Sequence, residues 1–203
     1  MDINKKAVTD ALRYMRVPPD AHTPELIRTV EKAFEKLETY ITPRVIWGEF
    51  SIVHFDGGIK LAYTDIYSRD IERLTSRSSA CVLMAATLGA EVDRQIALAQ
   101  KRDMLDGIAL DACASVRIDL YCDEVMNLEM SQILKPNEFL TSRFSPGYGD
   151  FNLSFVEDIL TILNAAKRIG LSITSTYMMT PVKSVTALSG IAQRPNYFNN
   201  NAE

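Results

Sequence analysis

Two stretches decide how this chain reads: Arg143-Phe144-Ser145-Pro146-Gly147-Tyr148-Gly149-Asp150 and, further on, Met178-Met179-Thr180-Pro181-Val182-Lys183-Ser184-Val185-Thr186. In the first, proline fixes one φ angle, and two glycines around an aromatic let the backbone bend and approach a ligand closely. Arginine at its head adds a planar fork suited to a carboxylate or phosphate. The combination is that of a binding loop.

Outward from these stretches, the periodicities predict helices followed by mixed structure. Asn4 to Met15 reads as a short helix, and Thr23-Pro24-Glu25 opens a longer one to about Tyr40, with Leu26, Val30, Phe34 and Leu37 on one face. Pro43 to Phe55 and Ile59 to Tyr67 read as two antiparallel strands joined at Asp56-Gly57-Gly58. Ser79 to Leu88 reads as a buried strand ending at Gly89, and Ala90 to Lys101 and Leu105 to Leu134 as helices, the second long enough to be broken. Pro136 begins the loop that carries the arginine. Asp150 or Asn152 is placed to cap a helix from about Leu153 to Ile169, which Gly170 ends; Leu171 to Met179 and Ser184 to Ile191 follow as strands. The Asn199 to Glu203 tail is expected to be mobile. Helices that cluster rather than alternate with strands predict one α+β domain over 1–203, an antiparallel or mixed sheet flanked by helices. Its helical part covers 1–40, its sheet and helices 41–198, and its ligand loop 136–150.

Composition excludes several classes. The 203 residues, 47% hydrophobic and 24% charged, suffice for a packed core. A net charge of -4 without a Lys/Arg cluster argues against nucleic-acid binding. The apolar run Ala80 to Leu88 is too short to span a membrane, and the N-terminus lacks a signal-peptide core, so a cytoplasmic protein is expected. Cys81, Cys113 and Cys122 have no metal-site spacing and read as buried structural thiols. With only two histidines, His22 and His54, a zinc site or a catalytic triad has little support.

On a helical wheel Leu105, Ala109, Ala112, Val116 and Leu120 form an apolar stripe, with Asp119, Asp123 and Asn127 within or beside it. Like charges four residues apart repel on a helix. Either a structural ion pair, exposure at the end of the stripe, or a polar ligand compensates them. Met178 and Met179 read as core or as apolar walls beside a ligand, and Lys183 as a surface charge.

The two stretches together resemble the C-terminal activation domain of cobalamin-dependent methionine synthase, where an Arg-x-x-Pro-Gly-Tyr loop holds S-adenosylmethionine. The run Ser184 to Ala187 is similar to that domain's later Ser-Val-Ser-Gly. The resemblance implies that Arg143, Ser145, Gly147 and Tyr148 contact S-adenosylmethionine, joined by an acid of the long helix, Asp119 or Asp123, and by Glu138 ahead of the arginine. It departs from the pattern at Gly149, where the fused enzyme has proline, and in the short stretch from Pro195-Asn196-Tyr197-Phe198 onward, where the family has a terminal strand with a tyrosine contact. There is no Asp-x-His-x-x-Gly cobalamin motif. The implied protein is therefore a stand-alone activation subunit rather than a complete methionine synthase. Cobalamin would be carried by a partner, a methionine synthase or another corrinoid protein, with a flavodoxin-like reductant. A ligand-sensing or assembly module with this fold is the alternative; an independent methyltransferase is weaker, because no Gly-x-Gly nucleotide loop follows a strand.

Overall fold

The computed structural model describes residues 5–194, which form α-helices α1 (Lys5–Tyr14) and α2 (Pro24–Glu38), then strands β1 (Arg44–Phe55), β2 (Gly58–Leu61) and β3 (Thr64–Tyr67). Helix α3 (Arg69–Thr75), strand β4 (Ser78–Thr87) and helices α4 (Ala90–Arg102) and α5 (Met104–Leu128) follow, with a 3-10 turn at Met130–Ile133. Strand β5 (Glu138–Leu140), helices α6 (Phe155–Ile162) and α7 (Ala165–Ile169), and strands β6 (Ser172–Ile173), β7 (Met179–Thr180) and β8 (Ser184–Gln193) complete it. The expectations for the Asn199–Glu203 tail and Tyr197 lie outside the described residues.

The chain gathers into two compact units: 1–46 with 86–123 and 165–185, and 47–85 with 124–164 and 186–203. In the first unit, α1 buries Ala7, Val8, Ala11 and Leu12, a stripe that recurs every three to four residues. Helix α2 starts as its sequence predicts: the Thr23 hydroxyl accepts the Leu26 N–H at 3.2 Å, Pro24 takes the first turn, and Val30, Ala33, Phe34 and Leu37 are buried. Helix α5 buries Ala109, Leu110, Ala112, Cys113, Ala114, Val116 and Ile118 here, a wider face than the stripe of the helical wheel, whereas Leu105 is exposed.

The second unit holds most of a six-stranded sheet in the order β3-β2-β1-β4-β8-β5. The pairs β1·β2, β2·β3 and β5·β8 are antiparallel. The central pairs run the same way. Thr42 N–H donates to Leu88 O while the His54 ring meets Ser78 O, so the start of β1 lies by the end of β4. Leu88 N–H donates to Lys183 O and Gln193 N–H to Arg77 O, which sets β4 against β8 in the same sense. The expected α+β class with an antiparallel sheet is what the chain adopts. Strand β4 is almost wholly buried, as its unbroken apolar run requires.

Several elements differ from the sequence reading. The stretch Ile59 to Tyr67 is two strands, because Ala62 adopts φ 51° and reverses the chain without a glycine. Helix α3 was not foreseen. The long helix stops at Leu128, ahead of the predicted Leu134. The helix expected over Leu153 to Ile169 breaks at Asn164, φ 53°, into α6 and α7, while Gly170, φ 70°, ends it as predicted. Only the two-residue strands β6 and β7 form where a strand from Leu171 to Met179 was expected, and Met178 is 59% exposed rather than core. Lys183 is no surface charge: its Nζ lies 3.0 Å from Asp111 Oδ1 and 2.9 Å from Ser115 Oγ.

Candidate binding site

The arginine loop grows out of the sheet edge. Glu138, Phe139 and Leu140 pair with Gln193, Ala192 and Ile191 of β8. Beyond them Thr141 N–H donates to Gly190 O, Gly190 N–H to the Thr141 hydroxyl, and the Ser189 hydroxyl to Thr141 O. Phe144 then exchanges both backbone hydrogen bonds with Leu188, each 2.9 Å. Arg143 therefore sits between Thr141 and Phe144, both bonded to β8, one residue before the segment leaves the sheet. The strand that holds it, β8, opens with Ser184, Val185 and Thr186, the last residues of the second diagnostic stretch.

Past Phe144 the chain closes on itself. Pro146 is buried, Gly147 N–H donates to Phe151 O at 2.7 Å, Tyr148 N–H to Ser145 O, and Phe151 N–H to Tyr148 O. Gly147 has φ 94° and Gly149 φ 52°, values that side-chain-bearing residues rarely adopt. Under the turn, Phe151 is 2% exposed and stacks at centroid distances of 5.2 Å on Phe155 and 6.3 Å on Phe144. Above it, the Tyr148 ring is 68% exposed. The result is a rigid turn with an arginine at its root, a half-buried Ser145 and an aromatic face at its tip. Because the Gly147 and Tyr148 N–H groups bond within the turn, side chains rather than these amides are what it offers a ligand.

The structure thus brings Arg143, Ser145, Gly147 and Tyr148 onto one turn. Glu138 sits at the start of β5 with both carboxylate oxygens engaged by the protein, one by Lys135 N–H at 2.8 Å and the other by the Gln193 side-chain amide at 3.0 Å. In the first unit Asp119 accepts the Tyr14 hydroxyl at 3.0 Å, and Asp123 is exposed on α5. Two cavities of that unit, of about 280 and 260 Å³, are lined by residues of α1 and α2 with His22, and by residues of α2, α4 and α5; neither includes a residue expected to hold the ligand.

Sequence reasoning missed what anchors the loop's far end. Asp150 caps not the helix after it but α3: its carboxylate accepts the Ser68 hydroxyl and the N–H groups of Arg69, at 2.7 Å, and Asp70, at 3.2 Å. Chiefly the Ser68 hydroxyl, and then these N–H groups, hold its carboxyl below the usual range against the opposing effect of burial. Asn152, the other candidate cap, accepts Ser154 N–H at 2.9 Å just ahead of α6. The local signal for α3 was present in Ser68-Arg69-Asp70-Ile71-Glu72, a capping serine followed by acids in the first turn.

All three cysteines are buried, and burial pushes the Cys81 and Cys113 thiols up to about 12. Among the described residues no group of three or more His, Cys, Asp or Glu side chains is placed to hold a metal ion, and no helix is long and apolar enough to cross a membrane.

No curated protein matches the chain. Among solved structures, the fold matches the MetH reactivation domain bound to AdoHcy, with a TM-score of 0.66 and 17% identity, over 86% of this chain and 66% of that one. The chain therefore spans just under two thirds of the length of that structure. The family model described as "Vitamin B12 dependent methionine synthase, activation domain" matches residues 96–202, more than half of the sequence and the whole of the arginine loop. The chain belongs to the activation-domain family of vitamin B12-dependent methionine synthase.

Proposed function

We propose that this protein binds S-adenosylmethionine on the 143–150 turn and serves as the reductive-activation subunit of a cobalamin-dependent methionine synthase or related corrinoid protein. The observation that carries the reading is the turn itself: a backbone closed by its own hydrogen bonds, with Arg143 at its root and the exposed ring of Tyr148 at its tip. Arg143 takes the amino-acid carboxylate of the ligand as a two-pronged partner. The Ser145 hydroxyl offers a donor and an acceptor, and Gly147, lacking a Cβ, lets the ligand lie against the backbone. Tyr148 supplies a face for the planar base or the cationic sulfonium.

A corrinoid on the partner supplies the redox and methyl-accepting chemistry, with the electron coming from a flavodoxin-like protein. What this chain does is hold the methyl donor in one orientation, an effect of positioning that needs no general base. That a MetH reactivation domain of the same fold was solved with AdoHcy supports the ligand class. The test is recovery of an oxidised corrinoid protein, followed by its absorption spectrum with reductant and S-adenosylmethionine present. Recovery should be accelerated by this chain and should not occur with S-adenosylmethionine and the chain alone. Equal rates with and without the chain would overturn the activation role and favour a ligand-sensing module.

A further inference from the structure

The segment after Tyr148 departs from the Gly-Tyr-Pro pattern noted above, and the departure has a structural counterpart. Asp150 and α3 grip each other reciprocally: the Asp150 carboxylate accepts from Ser68, Arg69 and Asp70, while Asp150 N–H donates to Asp70 Oδ2 at 3.2 Å. Ser68 is 2% exposed, and its hydroxyl accepts Ile71 N–H at 3.0 Å while donating to Asp150. Asp70 is in turn paired with Arg73, which offsets the repulsion between the two neighbouring carboxylates. A Cβ added at Gly149 would overlap Asp70 Oδ2, and its φ of 52° is strained for other residues. Glycine followed by aspartate is thus what lets the loop come down onto α3.

We infer that Asp150 is a positioning residue: with Ser68 and Asp70 it latches the C-terminal end of the 143–150 turn to α3, and so fixes Ser145 and Tyr148 for the ligand. The turn is held at both ends, by Phe144 on β8 and by Asp150 on α3. The Gly147, Tyr148 and Phe151 N–H bonds close locally between residues 145 and 151, so releasing one end lets the tip swing as a unit. This inference rests on the binding role proposed above.

The test has two arms on the full chain, with Asp150→Ala, Ser68→Ala and, as control, Glu72→Gln, which changes a neighbouring partner of Arg69 without touching Asp150. The first arm is amide hydrogen exchange in the ligand-free protein over residues 143–152. The Gly147, Tyr148 and Phe151 amides, protected inside the turn, should exchange on the order of tenfold faster in both alanine variants and unchanged in the control. The second is titration with S-adenosylmethionine, where both alanine variants should bind about 5- to 20-fold more weakly, the lower part of the usual range of coupling between linked sites. Unchanged exchange overturns the latch. Faster exchange with unchanged affinity overturns its positioning role. If the wild type itself fails to bind, the functional reading and the positioning role fall together, while the exchange arm still decides whether the latch exists.

Discussion

Phe151 is the side chain on which the turn rests, and Phe151→Ala should be the most damaging single truncation beneath it. The backbone bonds of Phe151 to Tyr148 and Gly147 do not involve the ring, so the substitution removes packing alone. A buried phenylalanine takes roughly 150–250 Å² out of water. At about 25 cal/mol per Å² that is roughly 4–6 kcal/mol, an upper figure because unfolded chains already bury some apolar surface. The two ring contacts, on Phe144 and Phe155, add about 0.5–1.5 kcal/mol each when well oriented. Measured core losses of this kind run about 3–5 kcal/mol, and we take about 4. For a chain of this length each kcal/mol lowers Tm by about 2–4 °C, so the melt should fall by about 8–16 °C. Circular dichroism melts paired with urea titrations read it, and Phe151→Leu should restore more than half the loss. A fall below about 3 °C for the alanine variant would refute the argument that this ring carries the turn.

Other outcomes follow from the same structure. Because burial raises the Cys81 and Cys113 thiols to about 12, no thiol-disulfide reagent should label them in the native protein at pH 8, and labelling should track unfolding. The sign is that of a raised pKa: burying the neutral thiols favours folding below their ordinary value of 9.0 and ceases to do so as pH rises toward 12. The resemblance implies one acid of α5 at the ligand, so Asp119→Asn or Asp123→Asn should weaken S-adenosylmethionine binding while leaving the melt within about 1–2 °C, as expected of substitutions outside the core. Tyr14→Phe, which removes the donor to Asp119, separates the structural from the ligand-binding use of that acid: normal binding and a normal melt in all three variants would assign both acids to neither role.

What the sequence made legible was local. Thr23 before Pro24, the apolar run ending at Gly89 and the glycine after Ile169 are signals written within a few residues of their effect, and each element formed where they placed it. The arginine turn was legible for the same reason. What escaped depended on partners remote in sequence or on backbone conformations that residue type does not announce. Ala62 and Asn164 take positive φ without being glycine, which split one predicted strand and one predicted helix. Lys183 reads as a surface charge until α5 presents Asp111 and Ser115 to it. Of the two caps the sequence offers for the following helix, Asn152 accepts Ser154 N–H ahead of it, whereas the fold turns Asp150 to the helix that precedes it. Glu138, which the resemblance adds to the site, also accepts from Lys135 N–H and the Gln193 side-chain amide, the second a contact remote in sequence.

The central claim is that the 143–150 turn holds S-adenosylmethionine, and isothermal calorimetry on the wild type and on Arg143→Ala tests it most directly. The wild type should bind, and Arg143→Ala should lose about 1.5–3 kcal/mol, the scale of hydrogen bonds to a charged group, with an unaltered melt. Equal affinity in the two proteins, or no heat of binding in the wild type, would contradict it.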